Sequence, residues 1–357
     1  MRRISFFSGD ITRSGGTEKV GCQIMNGLCD DYDVSVISLT ENNAECFYPI
    51  DERVKRIKLF GRNPSGIKEY FSIVHRLKEI LVQQQTEILI DIDTILDMFS
   101  VAAIKKTPIK LIAWEHFNFY ETMGNRFRVP VRRLRTQKAD VVVTLTKEDQ
   151  HNYQREFGRQ SSIVQIYNPI EFPEIKAYDV NSRQIISVGR LAKQKGFDYL
   201  VDVAANVLSK HSDWSWIILG EGDERETIEK LIIEKNVERL QLLGRVSNVN
   251  DFMNKSSIFV MTSRYEGFPL ALIEAKANGL PAVSFNCKTG PTELVQDNVN
   301  GYLVECFDCD VMADKICDLI ENANKRMMFS NNANLDTEKM EYREVIKQWK
   351  NVIERIR

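Results

Sequence analysis

The sequence has no apolar run long enough to cross a bilayer. Runs such as Trp214-Ser215-Trp216-Ile217-Ile218-Leu219 fall far short of the ~20 residues a spanning helix needs. It lacks a signal-peptide core, since Met1-Arg2-Arg3 is followed only by Ile4, Phe6 and Phe7 among serines before Gly9-Asp10. It has almost no excess charge. A net −2 from 48 Lys and Arg against 50 Asp and Glu excludes a whole-molecule field for nucleic acid. Eighteen Gly and nine Pro in 357 residues exclude collagen-like and low-complexity classes. A disulfide framework is missing too: the seven cysteines (Cys22, Cys29, Cys46, Cys287, Cys306, Cys309, Cys317) are an odd count and read as reduced thiols. Cys306-x-x-Cys309 has neither a second such pair nor a nearby His to complete four zinc ligands, so it reads as structural. These absences predict a cytoplasmic chain.

What remains is the balance of a soluble globular protein, 43% hydrophobic and 27% charged. At about 150 residues per domain, 357 residues predict two domains. Strand-like runs at 3–7, 34–39, 87–91, 110–114, 141–145 and 162–166 alternate with amphipathic stretches. One of these places Phe71, Val74, Leu77 and Leu81 on a single helix face. Tyr167-Asn168-Pro169 ends this pattern, and the polar segment 171–183, holding Pro173, reads as a linker. The alternation then restarts. Strands are predicted at 184–188, 214–219, 240–243, 258–261 and 281–285, and helices at 197–210, 224–235, 250–254, 269–278 and 310–323. Val345, Trp349, Val352 and Ile356 close the chain on an amphipathic helix. The expectation is an α/β fold of two Rossmann-like, doubly wound parallel-sheet domains facing a central cleft. They cover 1–170 and 184–340, with the helix 341–357 packing back toward the N-terminal domain. The first 170 residues carry 24 Lys and Arg against 21 Asp and Glu, the rest 24 against 29.

The chemistry concentrates between Ser263 and Pro281. A strand delivers the chain to a tight turn at Glu266-Gly267-Phe268, Pro269 suits the first helical position, and Asn278-Gly279 with Pro281 ends the helix. Such a helix points free amides and its positive dipole end at whatever lies above Gly267, which is an anion site suited to phosphate. Glu266 and Glu274 flank it, and carboxylates there suit sugar hydroxyls on either side of a diphosphate. Arg190, at the carboxyl end of the second domain's first strand, offers a bidentate fork and Lys195 a point charge for the same diphosphate.

Ser-Val-Gly-Arg-Leu at 187–191, Lys-Gly at 195–196, Ile-Leu-Gly-Glu-Gly at 218–222, Leu-Leu-Gly-Arg-Val at 242–246 and Glu-x7-Glu at 266–274 together resemble family 4 of the retaining GT-B glycosyltransferases. In the first half, Ser14-Gly15-Gly16-Thr17-Glu18 resembles the family's N-terminal glycine loop, and Trp114-Glu115-His116 its active-site histidine segment. The resemblance implies a GT-B architecture, a nucleotide-sugar donor (UDP-linked on family frequency) held by the second domain, and a glycan acceptor held by the first. Arg190 and Lys195 would hold the diphosphate, joined by the amides of Phe268 and Leu270 and by a close backbone approach at Gly16. Glu274 would bind ribose, Gly244, Arg245 and Val246 the base, and Glu266 and His116 the transferred sugar. The family uses no divalent metal and no other cofactor. Asp91-Ile92-Asp93 and Asp308-Cys309-Asp310, which superficially match a metal-binding Asp-x-Asp, read as structural.

Arg126, Arg128, Arg132, Arg133, Arg135 and Lys138, interleaved with apolar residues, predict either a solvated helix face or a surface for anionic lipid headgroups or an acceptor pyrophosphate. Family members extend lipid-linked glycans at the inner face of bacterial membranes. The expected acceptor is therefore lipid-linked, and the chain peripheral on that face. The alternative is a nucleotide-sugar epimerase of the same two-domain plan, for which Glu-x7-Glu is a poorer match. A phosphorylase would need a cofactor lysine and a longer chain. A nicotinamide-binding oxidoreductase would need a third glycine where Arg225 stands.

Overall fold

The computed structural model describes every residue except 66, 67, 123, 159–162, 174–177 and 357. The chain divides into two units, Met1–Pro169 with Tyr342–Arg357, and Ile170–Glu341.

In the first unit, β-branched and aromatic runs form β1 (Arg3–Ser8), β2 (Asp33–Ser38), β3 (Lys55–Lys58), β4 (Ile88–Asp91), β5 (Lys110–Trp114), β6 (Val141–Thr144) and β7 (Ile163–Gln165). They make one parallel seven-stranded sheet in the order β3-β2-β1-β4-β5-β6-β7. Beyond its first residue, β1 is buried at every position, as a strand covered on both faces must be. The helices are α1 (Gly16–Leu28), α2 (Tyr70–Gln83), α3 (Asp97–Ala103), α4 (Arg128–Lys138) and α5 (Lys147–Phe157). β3 has no counterpart among the strands read from sequence. Its Lys-Arg-Ile-Lys lies at the sheet edge with no buried residue, where charge replaces an apolar run. The expected strand at 162–166 begins on residue 162, outside the described residues.

The second unit contains β8 (Gln184–Val188), α6 (Phe197–Lys210), β9 (Ser215–Leu219), α7 (Arg225–Glu234), β10 (Leu240–Gly244), α8 (Val249–Met253), β11 (Ile258–Met261), α9 (Leu270–Ala277), β12 (Ala282–Phe285), α10 (Pro291–Leu294), β13 (Gly301–Val304), α11 (Cys309–Glu321) and α12 (Ala323–Asn331). Its six-stranded sheet runs β10-β9-β8-β11-β12-β13. α10, β13 and α12 lie outside the sequence reading. β13 is only four residues long, and Asn322, whose side chain accepts from the Lys325 amide, starts a new helix where a single one was expected to end.

The segment expected as a linker is tied to the second unit along its described part. Tyr178 donates to the Ser257 carbonyl at 2.8 Å, and Arg326 donates to the Val180 carbonyl at 2.8 Å; just before the segment, the Ile170 amide donates to the Met340 carbonyl at 2.6 Å. The last helix, α13 (Tyr342–Arg355), buries Val345, Ile346, Trp349, Val352 and Ile353 within the first unit. Arg2 Nη1 donates to its Ile353 carbonyl at 2.7 Å.

Candidate active site

In the second unit the strand order reverses between β8 and β11, and ligands of open parallel sheets bind at the carboxyl ends beside such a reversal. The loops leaving those two strands carry the predicted residues. Arg190, two residues past β8, is exposed. Lys195 closes a 3-10 turn, and its stem lies over Gly189, whose added Cβ would meet Lys195 Cδ at 3.4 Å. Gly196 follows with φ +65°, and a Cβ there would run into the Thr262 carbonyl oxygen just past β11. Gly220, with φ +143°, is pressed likewise against the Gly189 carbonyl, while its amide donates to Gly244 at 2.8 Å. These two glycines let the loops of β8, β9, β10 and β11 touch through backbone, so the scattered motifs converge.

Glu266 is only 4% exposed. Lys195 Nζ lies 2.7 Å from its Oε1, and the Ser263 hydroxyl donates to that same oxygen at 2.5 Å. The residues expected to hold diphosphate and sugar are thus in contact with each other. Pro269 is the cap of α9 rather than its first residue, accepting from the Leu272 and Ile273 amides at 3.1 Å each. Leu270 therefore opens the helix, and the Leu270 and Ala271 amides have no intrahelical acceptor. Glu274 is half-buried one turn further on, and Phe268 is buried. Gly244 ends β10 at a bulge, which re-aims the chain into exposed Arg245 and half-buried Val246. Sequence reading missed Ser263 and Thr289, whose hydroxyl donates to the Glu266 carbonyl at 2.6 Å. A serine three residues before Glu266 was the available signal for the first.

In the first unit Gly16 opens α1 behind an extended Gly15, on the loop leaving β1. His116, just past β5, is buried, and its Nε2 meets no hydrogen-bond partner among the described residues. Its ring centroid lies 4.2 Å from that of Trp114, which lies 4.7 Å from Trp349 of α13. Burial pushes the imidazole pKa down to about 3, against the partial opposition of Glu115, so the ring is neutral.

The surface expected at Arg126–Lys138 needs correction. Arg128, Arg132 and Arg135 follow the four- and three-residue spacing of one helix face, and that face is buried. Arg132 Nε and Arg135 Nη1 donate to Glu115 Oε2 at 3.0 and 3.1 Å, and the Tyr153 hydroxyl donates to it at 2.5 Å. Arg135 also pairs with Asp97 at 2.6 Å, and Arg128 with Asp93 at 3.1 Å. Burial opposes ionisation of Glu115, but the two guanidiniums outweigh it and hold the carboxyl down to about 2. Arg132 further donates to the Asn118 and Phe119 carbonyls at 2.8 and 2.5 Å, fixing the segment that follows His116. Arg126, Arg133 and Lys138 alone are exposed, beside exposed Phe127 and Val129. A buried charge without partners would be costly, so the acidic residues are what draw these arginines inward.

Both Asp-x-Asp matches hold structural partners. Asp91 accepts from Ser100 at 2.7 Å, and Asp93 caps the 3-10 turn Thr94–Leu96. Asp308 caps α11. Among the described residues, no group of three or more His, Cys, Asp or Glu is placed to hold a metal. All seven cysteines are free.

Residues 14–172 match the family described as Glycosyltransferase Family 4, and residues 170–336 match Glycosyl transferases group 1. The chain is 34% identical to an uncharacterized glycosyltransferase of Haemophilus influenzae, over 99% of this chain and 100% of that one. The chain belongs to glycosyltransferase family 4. The family 4 chain is also 26% identical, over 100% of its length and 99% of the relative's, to a Campylobacter jejuni protein. That relative is named GalNAc-alpha-(1->4)-GalNAc-alpha-(1->3)-diNAcBac-PP-undecaprenol alpha-1,4-N-acetyl-D-galactosaminyltransferase. Among solved structures it resembles Anabaena Alr3699/HepE in complex with UDP, with a TM-score of 0.82 at 17% identity, covering 99% of this chain and 100% of that one. That likeness is one of fold, and the fold is GT-B.

Proposed function

We propose that this glycosyltransferase moves a hexose or N-acetylhexosamine from a UDP-sugar to a lipid-linked oligosaccharide in cell-surface polysaccharide assembly. The reaction retains the anomeric configuration and needs no metal ion. The carrying observation is the gathering of Arg190, Lys195, Glu266 and the amino end of α9 on the loops at one strand-order reversal. Breaking the anomeric bond builds positive charge on the sugar and negative charge on the departing diphosphate. Arg190, Lys195 and the Leu270 and Phe268 amides stabilise the latter as fixed charges and dipoles, the role a metal would otherwise fill. Glu274 takes the ribose, and Gly244, Arg245 and Val246 the base. Glu266 addresses the sugar from the second unit. Same-face attack, with a donor phosphate oxygen taking the acceptor proton, gives retention, as the family resemblance implies. The Anabaena complex supports UDP as the nucleotide, and the Campylobacter relative, whose name specifies a PP-undecaprenol-linked acceptor, supports the lipid carrier.

The test is a panel of UDP-hexoses and UDP-N-acetylhexosamines, with and without a polyprenyl-diphosphate oligosaccharide. Acceptor-dependent UDP release, the donor's anomeric configuration in the product and indifference to EDTA are expected. Sugar turnover without acceptor would instead favour the epimerase. Peripheral membrane binding now rests on Arg126, Arg133 and Lys138. Reversing Arg126 and Arg133 is expected to abolish sedimentation with anionic vesicles, and unchanged sedimentation would remove this part of the reading.

A further inference from the structure

Glu266 is held at its backbone from both sides. Thr289 donates to its carbonyl at 2.6 Å. Gln194 Nε2 donates to the preceding Tyr265 carbonyl at 3.1 Å, and the Arg264 amide donates to the Gln194 carbonyl at 2.8 Å. Thr289 itself sits at φ +60°, a conformation a β-branched residue keeps only where its surroundings enforce it. The main chain of the turn is therefore fixed, and what remains to be set is the carboxylate. Among the described residues, two donors reach it, and both go to Oε1: Lys195 Nζ at 2.7 Å and the Ser263 hydroxyl at 2.5 Å. Ser263 is 1% exposed and stands at the exit of β11, so its Oγ has little freedom.

We propose that Ser263 is the positioning residue of the donor site, keeping Glu266 Oε1 occupied so that Oε2 is presented to a hydroxyl of the transferred sugar. This rests on the donor-site reading above. Lys195 has two claimants once a donor arrives, because the diphosphate carries more charge than one carboxylate. As the ammonium turns toward phosphate, a buried carboxylate left with one empty oxygen would rotate or recruit water. The serine hydroxyl prevents this, since it is neutral, buried and indifferent to the diphosphate. Lys195 is then the ammonium shared between sugar-side carboxylate and leaving group, and Ser263 makes that sharing affordable to the geometry.

The experiment compares the intact wild-type chain with Ser263→Ala, Ser263→Thr and Glu266→Gln. The readouts are kcat, the Kd for UDP alone, the Kd for the UDP-sugar and the thermal midpoint. For Ser263→Ala, kcat is expected to fall about tenfold or more, the worth of one hydrogen bond to a charged group. UDP is expected to bind within about twofold of wild type, while the extra affinity of the UDP-sugar over UDP is lost. Threonine, which keeps the Oγ, is expected to restore most of the turnover. Wild-type kcat in Ser263→Ala overturns the proposal. So does a parallel loss of UDP binding and thermal midpoint, which would mark a merely structural hydroxyl. Failure of the donor-site reading looks different: Glu266→Gln would then turn over like wild type, or the wild-type chain would not bind UDP.

Discussion

Each unit of the molecule concentrates cations near a strand-order reversal, and they use them in opposite ways. Under Trp114-Glu115-His116 the buried arginines of α4 are consumed internally: Arg135 spans Asp97 and Glu115, and Arg132 spans Glu115 and two carbonyls. At the ends of β8 and β11, Arg190 faces solvent, and Lys195 pairs with Glu266 on a side chain that is 21% exposed. The first cluster is closed and builds architecture, while the second is exposed, as the proposed diphosphate site requires. Charge density in a sequence does not distinguish them, but the supply of buried acids does.

The contrast breaks most sharply under substitution. Arg135→Met leaves Asp97 as a buried acid without its guanidinium and Glu115 with Arg132 in place of two arginines, and is expected to cost about 3–5 kcal/mol, read as a collapse of the denaturant midpoint. Arg190→Met is expected to change stability by no more than about 0.5 kcal/mol while weakening UDP binding at least about tenfold. If Arg135→Met proves silent, the cluster is not what holds the histidine segment. Next in size, Glu266→Gln is expected to lower kcat about a hundredfold with little change in UDP affinity. Glu274→Gln is expected mainly to weaken donor binding, and the kcat and Kd of the two variants check this.

Acid sharpens the comparison from the side of the first unit. His116 is held down to about 3 from an ordinary 6.5, so below pH 6.5 the unfolded chain takes up a proton the folded one refuses. Stability from this group is lost as pH falls, by up to ~1.4 kcal/mol per pH unit. Glu115, held down to about 2, adds a loss in the same direction below its ordinary 4.5. Asp149, pushed up by burial to about 7, works the other way, so the difference between wild type and His116→Gln is the informative quantity. The variant is expected to lose less stability between pH 7 and pH 5, and identical pH profiles would contradict a neutral, buried His116.

The smallest expected effect lies on α9. Lys276 is 2% exposed, and its Nζ has no hydrogen-bond partner among the described residues. Burial pulls its pKa down to about 8. Lys276→Met is expected to raise the melting point by a few degrees without touching UDP affinity.

The sheets were readable because both faces of each are covered, so most strands carry an apolar run, 258–261 and 111–114 among them. β3 was not, because an edge strand reading Lys-Arg-Ile-Lys carries no such run. Glu266, Lys195 and Arg190 were readable from motif order, but the contact between Glu266 and Lys195 was not, since it joins residues 71 apart through two loops. The burial of Arg128, Arg132 and Arg135 was partly legible in their helical spacing. Their acids (Asp93, Asp97 and Glu115) lie on other elements, and nothing local announces the pairing.

The central claim is that the loops after β8 and β11, with the amino end of α9, grip a nucleoside diphosphate. Calorimetric titration of UDP into the wild-type chain and into Arg190→Met and Lys195→Met tests it most directly. Saturable one-to-one binding in the wild type, lost or strongly weakened in both variants at unchanged melting temperature, is the predicted result. A wild-type chain that binds no UDP, or variants that bind it as tightly as wild type, would contradict the account.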